Sequence, residues 1–157
     1  MILTFTGHRP NKLGGFGINP LKVAVVCELA RVIKRLKPDR AISGMALGVD
    51  QWAASVCISL KIPFTAAIPF EGQELKWPPG AQDVYRELLG KAAAMVVVSR
   101  FGYSPRAMQK RNEWMVDHCD NLLAVWDGSS GGTANCIAYA ETRGIPIVRI
   151  DPTELVP

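Results

Sequence analysis

The sequence predicts an α/β fold: a single Rossmann-like domain over residues 1–157, with a mostly parallel sheet of about six strands and helices on both faces. Three observations predict it. A strand-then-helix rhythm recurs along the chain with no internal repeat, low-complexity tract or linker. The strands are apolar throughout rather than alternating, as expected when helices cover both faces of a parallel sheet. Finally, 157 residues at 48% hydrophobic and 20% charged suffice for one ordinary core and exclude collagen-like, disordered or disulfide-dense chains.

Ile2-Leu3-Thr4-Phe5-Thr6 reads as the first strand, ended by Gly7. Asn19-Pro20 supplies an N-cap and a proline at the first helical position; Val26, Leu29, Ala30, Ile33 and Leu36 then share a helical face until Pro38. Arg40 to Ser43 is a second strand ended by Gly44, and after Gly48 the residues Ala53, Val56, Cys57 and Leu60 mark a second helix. Pro63 to Ile68 is a third strand. The stretch from Pro69 to Gly80 is long for a loop in a compact domain, which marks it as a lid or binding loop. Val84, Tyr85, Leu88 and Ala92 give a third helix, and Met95 to Ser99 a fourth strand. Ser104-Pro105 opens a fourth helix reaching about His118, Asn121 to Trp126 is a fifth strand, Thr133 to Arg143 a fifth helix, and Pro146 to Ile150 a sixth strand.

In such sheets ligands bind outside the carboxyl ends of the strands. That rule selects Thr6 to Lys12, Ser43 to Asp50, Pro69 to Gly80, Ser99 to Arg111 and Asp127 to Asn135. The clearest segment is Asp127-Gly128-Ser129-Ser130-Gly131-Gly132-Thr133, where glycines let backbone N–H groups approach a phosphate, the helix N-terminus adds positive charge and a hydroxyl completes the cradle. Any strand-to-helix turn favours glycine, so its position is what points to an anion. Thr6, Gly7, His8 and Arg9 offer a hydroxyl, a close backbone approach and two phosphate-seeking side chains, or else solvated loop residues. Gly44 and Gly48 bracket a second turn leading to Asp50, which suits ribose hydroxyls or simply the helix N-terminus. Arg111 lies between Met108 and Met115 and so faces the apolar side, where it needs a phosphate, carbonyl or carboxylate partner. In the Pro69–Gly80 loop, Trp77 serves either as a stacking surface or as an apolar plug.

Net charge is +4, with residues 1–40 at +6 and the remainder at −2. The imbalance suits an anionic partner, or a solvated basic helix face. The longest apolar run, Ala92 to Val98, is far shorter than the roughly 18–20 residues of a membrane helix, and no basic region precedes the apolar N-terminus. The chain is therefore expected to be soluble and cytoplasmic, with no membrane partner. Cys27, Cys57, Cys119 and Cys136 form no Cys-x-x-Cys pair, fall in stretches read as helical, and are expected to be small reduced core residues. No metal-ligand spacing, Walker A motif, Ser-His-Asp pattern or Gly-x-Gly-x-x-Gly turn is present, and no metal or cofactor is expected.

Thr6-Gly7-His8-Arg9, the Ser43 to Asp50 segment, the Pro69-Phe70-Glu71 to Trp77-Pro78 loop, Arg111-Asn112-Glu113-Trp114-Met115-Val116-Asp117 and Trp126 to Thr133 together resemble the YpsA-type proteins of the SLOG superfamily, over nearly the whole chain. The resemblance implies a Rossmann-like fold and two functional directions. The DprA branch, which binds single-stranded DNA, has motifs similar to Ser43 to Asp50 and Arg111-Asn112. The lonely-guy phosphoribohydrolase branch implies an arginine at Arg111 and a Gly-Gly-x-Gly-Thr-type turn at Gly131-Gly132-Thr133. This chain departs from the hydrolase pattern: the catalytic glutamate falls in Ala134 to Cys136, where Asn135 stands, and an amide is no general base. Hydrolysis would then require Glu71 or Glu113 to supply the carboxylate.

The resulting expectation is a binder of a nucleotide or nucleotide-derived phosphate ligand without the phosphoribohydrolase reaction. The expected contacts are Thr6, Gly7, His8, Arg9, Gly44, Gly48, Asp50, Arg111, Asn112, Gly131, Gly132 and Thr133. Single-stranded DNA binding and N-glycosidic hydrolysis or transfer are the alternatives. Related SLOG proteins often dimerise, and Trp52 or Trp114 could serve a homodimer interface.

Overall fold

The computed structural model of the protein describes residues 1–155. β1 (Ile2–Gly7), β2 (Arg40–Ser43), β3 (Phe64–Ile68), β4 (Ala94–Val97), β5 (Asn121–Val125) and β6 (Ile147–Ile150) form one sheet in the order β4-β3-β2-β1-β5-β6. Every strand pairing is parallel. The helices between them are α1 (Pro20–Leu36), α2 (Val49–Ser59), α3 (Pro79–Gly90), α4 (Pro105–Asp117) and α5 (Gly132–Thr142). This is a Rossmann-like α/β fold. Two short 3-10 turns, Pro10–Lys12 and Pro152–Glu154, add to what the sequence pattern predicts.

Local chemistry starts the helices where capping residues stand. The Asn19 side chain accepts from the Lys22 N–H at 2.9 Å and Ser104 Oγ accepts from the Ala107 N–H at 2.9 Å, each followed by proline at the first helical position. Side chains alternating along each strand feed two cores. Leu3, Phe5, Phe64, Ala66, Leu123 and Val125 pack with α1, α2 and α3, whereas Ile42, Ala67, Leu122 and Ala124 face α4 and α5.

Three expectations are corrected. The buried stripe of α1 is Val25, Leu29, Val32 and Ile33, so Val26, Ala30 and Leu36 are half-buried and Cys27 is exposed rather than a core residue. Cys119 lies just beyond the end of α4, not within a helix. As the sheet's edge, β4 is not buried on both faces: Met95 and Val97 are 56% and 43% exposed. No described helix is long and apolar enough to cross a membrane.

The strand order sets where a ligand can go. The chain moves outward from β1 through β2 and β3 to β4, then returns to place β5 on the other side of β1. The crossovers on either side of the β1–β5 seam therefore diverge, and a crevice opens at the carboxyl ends of these two strands.

Candidate functional site

A cavity of about 420 Å³ occupies that crevice. From the end of β1 come Thr6, Gly7, His8 and Arg9; from the start of α2, Asp50; from α4, Arg111 and Asn112; from the β5–α5 turn, Gly131, Gly132 and Thr133. Gly44 and Gly48 do not line it but shape its wall. Glu71 and Glu113 lie outside its lining, Glu71 exposed in the β3–α3 loop and Glu113 half-buried on α4. Asn11, Lys12, Ala46, Tyr103, Met108 and Ser130 also line the cavity. Nearly all of these fall within the strand-end segments selected from sequence, but apart from Arg111 the pattern does not indicate which side chains turn inward.

The β2–α2 turn is closed on itself. Ser43 Oγ donates to the Asp50 carbonyl at 2.8 Å and accepts from the Met45 N–H at 3.2 Å, while Gln51 donates to the Met45 carbonyl at 3.2 Å. The Ala46 N–H donates to Asp50 Oδ2 at 3.3 Å. Gly48 has φ +94, and a Cβ there would meet the His8 carbonyl oxygen at 2.6 Å, so only glycine lets this turn press against the β1 loop.

Arg111 is 3% exposed and Asp50 6%. Arg111 donates from Nη1 to the Gly44 carbonyl at 2.6 Å and from Nε to Asn112 Oδ1 at 3.0 Å. Burial pushes the Asp50 carboxyl above its usual range, while Arg111, then Arg9 and the Ala46 N–H, pull it back. Burial likewise lowers the Arg111 pKa, with Asp50 opposing. A guanidinium remains charged even so, and the cavity floor thus holds a fixed positive group in a low-dielectric setting.

The β5–α5 turn has the opposite character. Asp127 Oδ1 accepts from the Ser129 N–H at 2.9 Å, and Trp126 Nε1 donates to the Ser129 carbonyl at 2.7 Å. Hydrogen bonds from Ser129, aided by His8, hold the Asp127 carboxyl well below the usual carboxylate range. His8 joins the two strands: its Nε2 is 3.1 Å from the Asp127 N and 2.9 Å from Asp127 Oδ1. Lys12 crosses to Ser129 Oγ at 2.9 Å. Beyond Ser129, the N–H groups of Ser130, Gly131, Gly132 and Thr133 have no partner among the described residues. Gly131, at φ +138, is the N-cap of α5, so these four cavity-lining residues stand at the positive end of the helix.

The Pro69–Gly80 loop is fastened rather than free. Gln73, which is buried, donates to the Gly44 carbonyl and the Tyr85 hydroxyl at 3.4 Å each, and Trp77 meets the Tyr85 ring edge-on at 5.3 Å. The thiols offer no ready nucleophile at the three buried positions: burial pushes Cys57 and Cys119 up to about 12 and Cys136 up to about 11.

A model of the YspA SLOG family (YpsA) matches residues 3–155. The uncharacterized SPbeta prophage-derived protein YoqJ of Bacillus subtilis is 33% identical over 138 residues, covering 77% of this chain and 80% of YoqJ. Among solved structures, DNA processing protein A from Helicobacter pylori, described for its single-stranded DNA binding mode, superposes with a TM-score of 0.69 at 17% identity. That match covers 96% of this chain and 65% of that one. DNA processing protein A from Streptococcus pneumoniae gives a TM-score of 0.69 at 15% identity, covering 95% of this chain and 50% of that one. At these identities the likeness is one of fold, and this chain spans two thirds or less of those proteins.

Proposed function

This chain belongs to the YspA SLOG family, and from that premise we propose that it binds the phosphate of a nucleotide or nucleotide-derived ligand in the β1–β5 cavity. One observation carries the reading: unpartnered N–H groups at the start of α5 share a cavity with the buried guanidinium of Arg111. Backbone donors at a helix N-terminus and a desolvated arginine are complementary to a phosphate, and Arg9 and Lys12 add positive charge at the same cavity. Asp50 is the acceptor suited to sugar hydroxyls.

Binding rather than N-glycosidic cleavage is supported by the carboxylates. Neither Glu71 nor Glu113 lines the cavity, Asn135 is an exposed amide, and Asp50 is engaged by the Ala46 N–H and by the charges of Arg111 and Arg9. Calorimetric titration with inorganic phosphate and nucleoside monophosphates tests the proposal. Binding weakened about tenfold or more by Thr133→Val together with Lys12→Ala is the expected result; no heat with any phosphate at millimolar concentration would overturn it.

A second reading, single-stranded DNA binding, is favoured by the exposed Arg100, Arg106 and Lys110, the latter two on the same helix as Arg111. Affinity for an oligonucleotide would then fall steeply as salt rises, because bound counterions are released. An affinity insensitive to salt would remove this reading.

A further inference from the structure

A second cavity, of about 440 Å³, adjoins the phosphate site, and Arg9, Tyr103 and Met108 belong to both linings. Its other walls differ in character from the first: Phe70, Leu75 and Trp77 come from the β3–α3 loop and present rings and an aliphatic chain. Phe70 and Tyr103 meet edge-on with centroids 6.2 Å apart, and the ring of Trp77 is braced against Tyr85. These aromatic groups thus come from two loops at neighbouring strand ends, with Tyr103 70% exposed between the cavities.

Besides Arg9 and Lys76, which add positive charge to the lining, the chamber holds one buried amide residue, Gln73. Its Nε2 donates to the Gly44 carbonyl and to the Tyr85 hydroxyl, which fixes the amide orientation because a carbonyl can only accept. Gln73 Oε1 has no donor among the described residues, and Gln73, only 7% exposed, lines the cavity, where this oxygen is open to a ligand. Aromatic walls and one free amide acceptor are complementary to a planar nitrogenous base, whose faces stack and whose edge carries N–H donors, and the Arg9 and Lys76 cations suit an anionic ligand.

We propose that the second cavity is a base subsite, and that the ligand is a mononucleotide lying across both cavities: phosphate at the β5–α5 turn, ribose by Asp50, base among Phe70, Tyr103, Trp77 and Gln73. This rests on the phosphate-binding reading and adds to it a discrimination between a nucleotide and a sugar phosphate. The fastening of the loop by Gln73 to Gly44 has a role in that arrangement. The same carbonyl accepts from Arg111, and the wall of the base chamber and the floor of the phosphate chamber are thereby held to one atom.

The test is calorimetric titration of the intact protein with adenosine 5′-monophosphate, ribose 5-phosphate and inorganic phosphate, in the wild type and in Tyr103→Ala. In the wild type the nucleotide should bind at least about tenfold more tightly than ribose 5-phosphate, the scale of base stacking on an aromatic side chain. In Tyr103→Ala that ratio should fall severalfold toward one, and Tyr103→Phe should restore it. Equal affinities for the nucleotide and the sugar phosphate in the wild type, or a ratio unmoved by Tyr103→Ala, would overturn the base subsite while leaving the phosphate site standing. Failure of all three probes to bind would overturn the phosphate reading itself, and the base subsite with it.

Discussion

The two glycine-bearing turns at the cavity look alike in sequence and behave oppositely. Between β2 and α2, the side chains of Ser43, Asp50 and Gln51 hydrogen-bond back onto the turn, and its carbonyl at Gly44 is occupied by Arg111 and Gln73. Between β5 and α5, the N–H groups of the cavity-lining run Ser130 to Thr133 have no partner among the described residues. Glycine serves each for a different reason: at Gly48 a neighbouring backbone leaves no room, whereas at Gly131 nothing lies within 4 Å of a Cβ and only the φ of +138 demands it. One turn is a latch that builds the wall, and the other is an open donor array.

This contrast predicts that substitutions at the latch cost stability and substitutions at the array cost affinity. The largest effect is expected for Arg111→Met, which leaves Asp50 buried without its nearest countercharge and should destabilise by about 3–5 kcal/mol. The loss should depend on pH. Burial already raises Asp50 above its ordinary value of 3.8, and removing Arg111 raises it further. The folded variant then holds a proton that the unfolded chain releases, so its deficit relative to the wild type should be smallest below pH 3.8 and grow as pH rises through the folded value. Urea denaturation of both proteins at pH 4 and pH 7 measures this; a deficit larger at the lower pH would contradict the assignment.

Next in size is Gly48→Ala, where a positive φ and a backbone clash with His8 combine to about 3 kcal/mol, read as a lowered urea midpoint. Gly131→Ala meets no clash and should cost only about 1 kcal/mol of stability, with weaker phosphate binding in calorimetry. The smallest change in stability is expected for Thr133→Val. Its hydroxyl has no described protein partner and the replacement has nearly the same shape, so thermal unfolding should stay within about 0.5 kcal/mol while phosphate affinity drops severalfold. A Thr133→Val protein that loses stability but binds normally would erase the distinction between the two turns.

The elements were legible in sequence wherever a local signal and the apolar pattern agreed. Asn19-Pro20 and Ser104-Pro105 start helices where their side chains cap them, and the apolar strands pair in parallel. What escaped depends on rotation and on position in the sheet. Val25 rather than Val26 is buried because the face α1 presents is decided by how it sits on the sheet, and spacing alone does not fix that angle. Met95 and Val97 are exposed because strand order, which no local pattern encodes, puts β4 at the edge. At the site, the strand-end rule picked out the segments that line the cavity, and the spacing of Arg111 from Met108 and Met115 indicated the buried position it occupies. Tyr103 and Met108 could not be picked out, since what sets them in both cavity linings is a juxtaposition of loops that exists only after folding.

The β1–β5 seam also bears on how the molecule comes into being. The Ile2 N–H donates to Asp120 across a separation of 118 residues, and β1 meets β5 only once most of the chain exists. During synthesis β1 is the bare margin of a four-stranded assembly, displaying unpaired N–H and C=O groups until β5 arrives to cap it. The β5–α5 side of the cavity, Ser130, Gly131, Gly132 and Thr133, is translated after that event. A nascent or truncated chain ending at α4 therefore lacks the N–H groups at the start of α5, and the proposed phosphate site would form only after β5 has closed the seam.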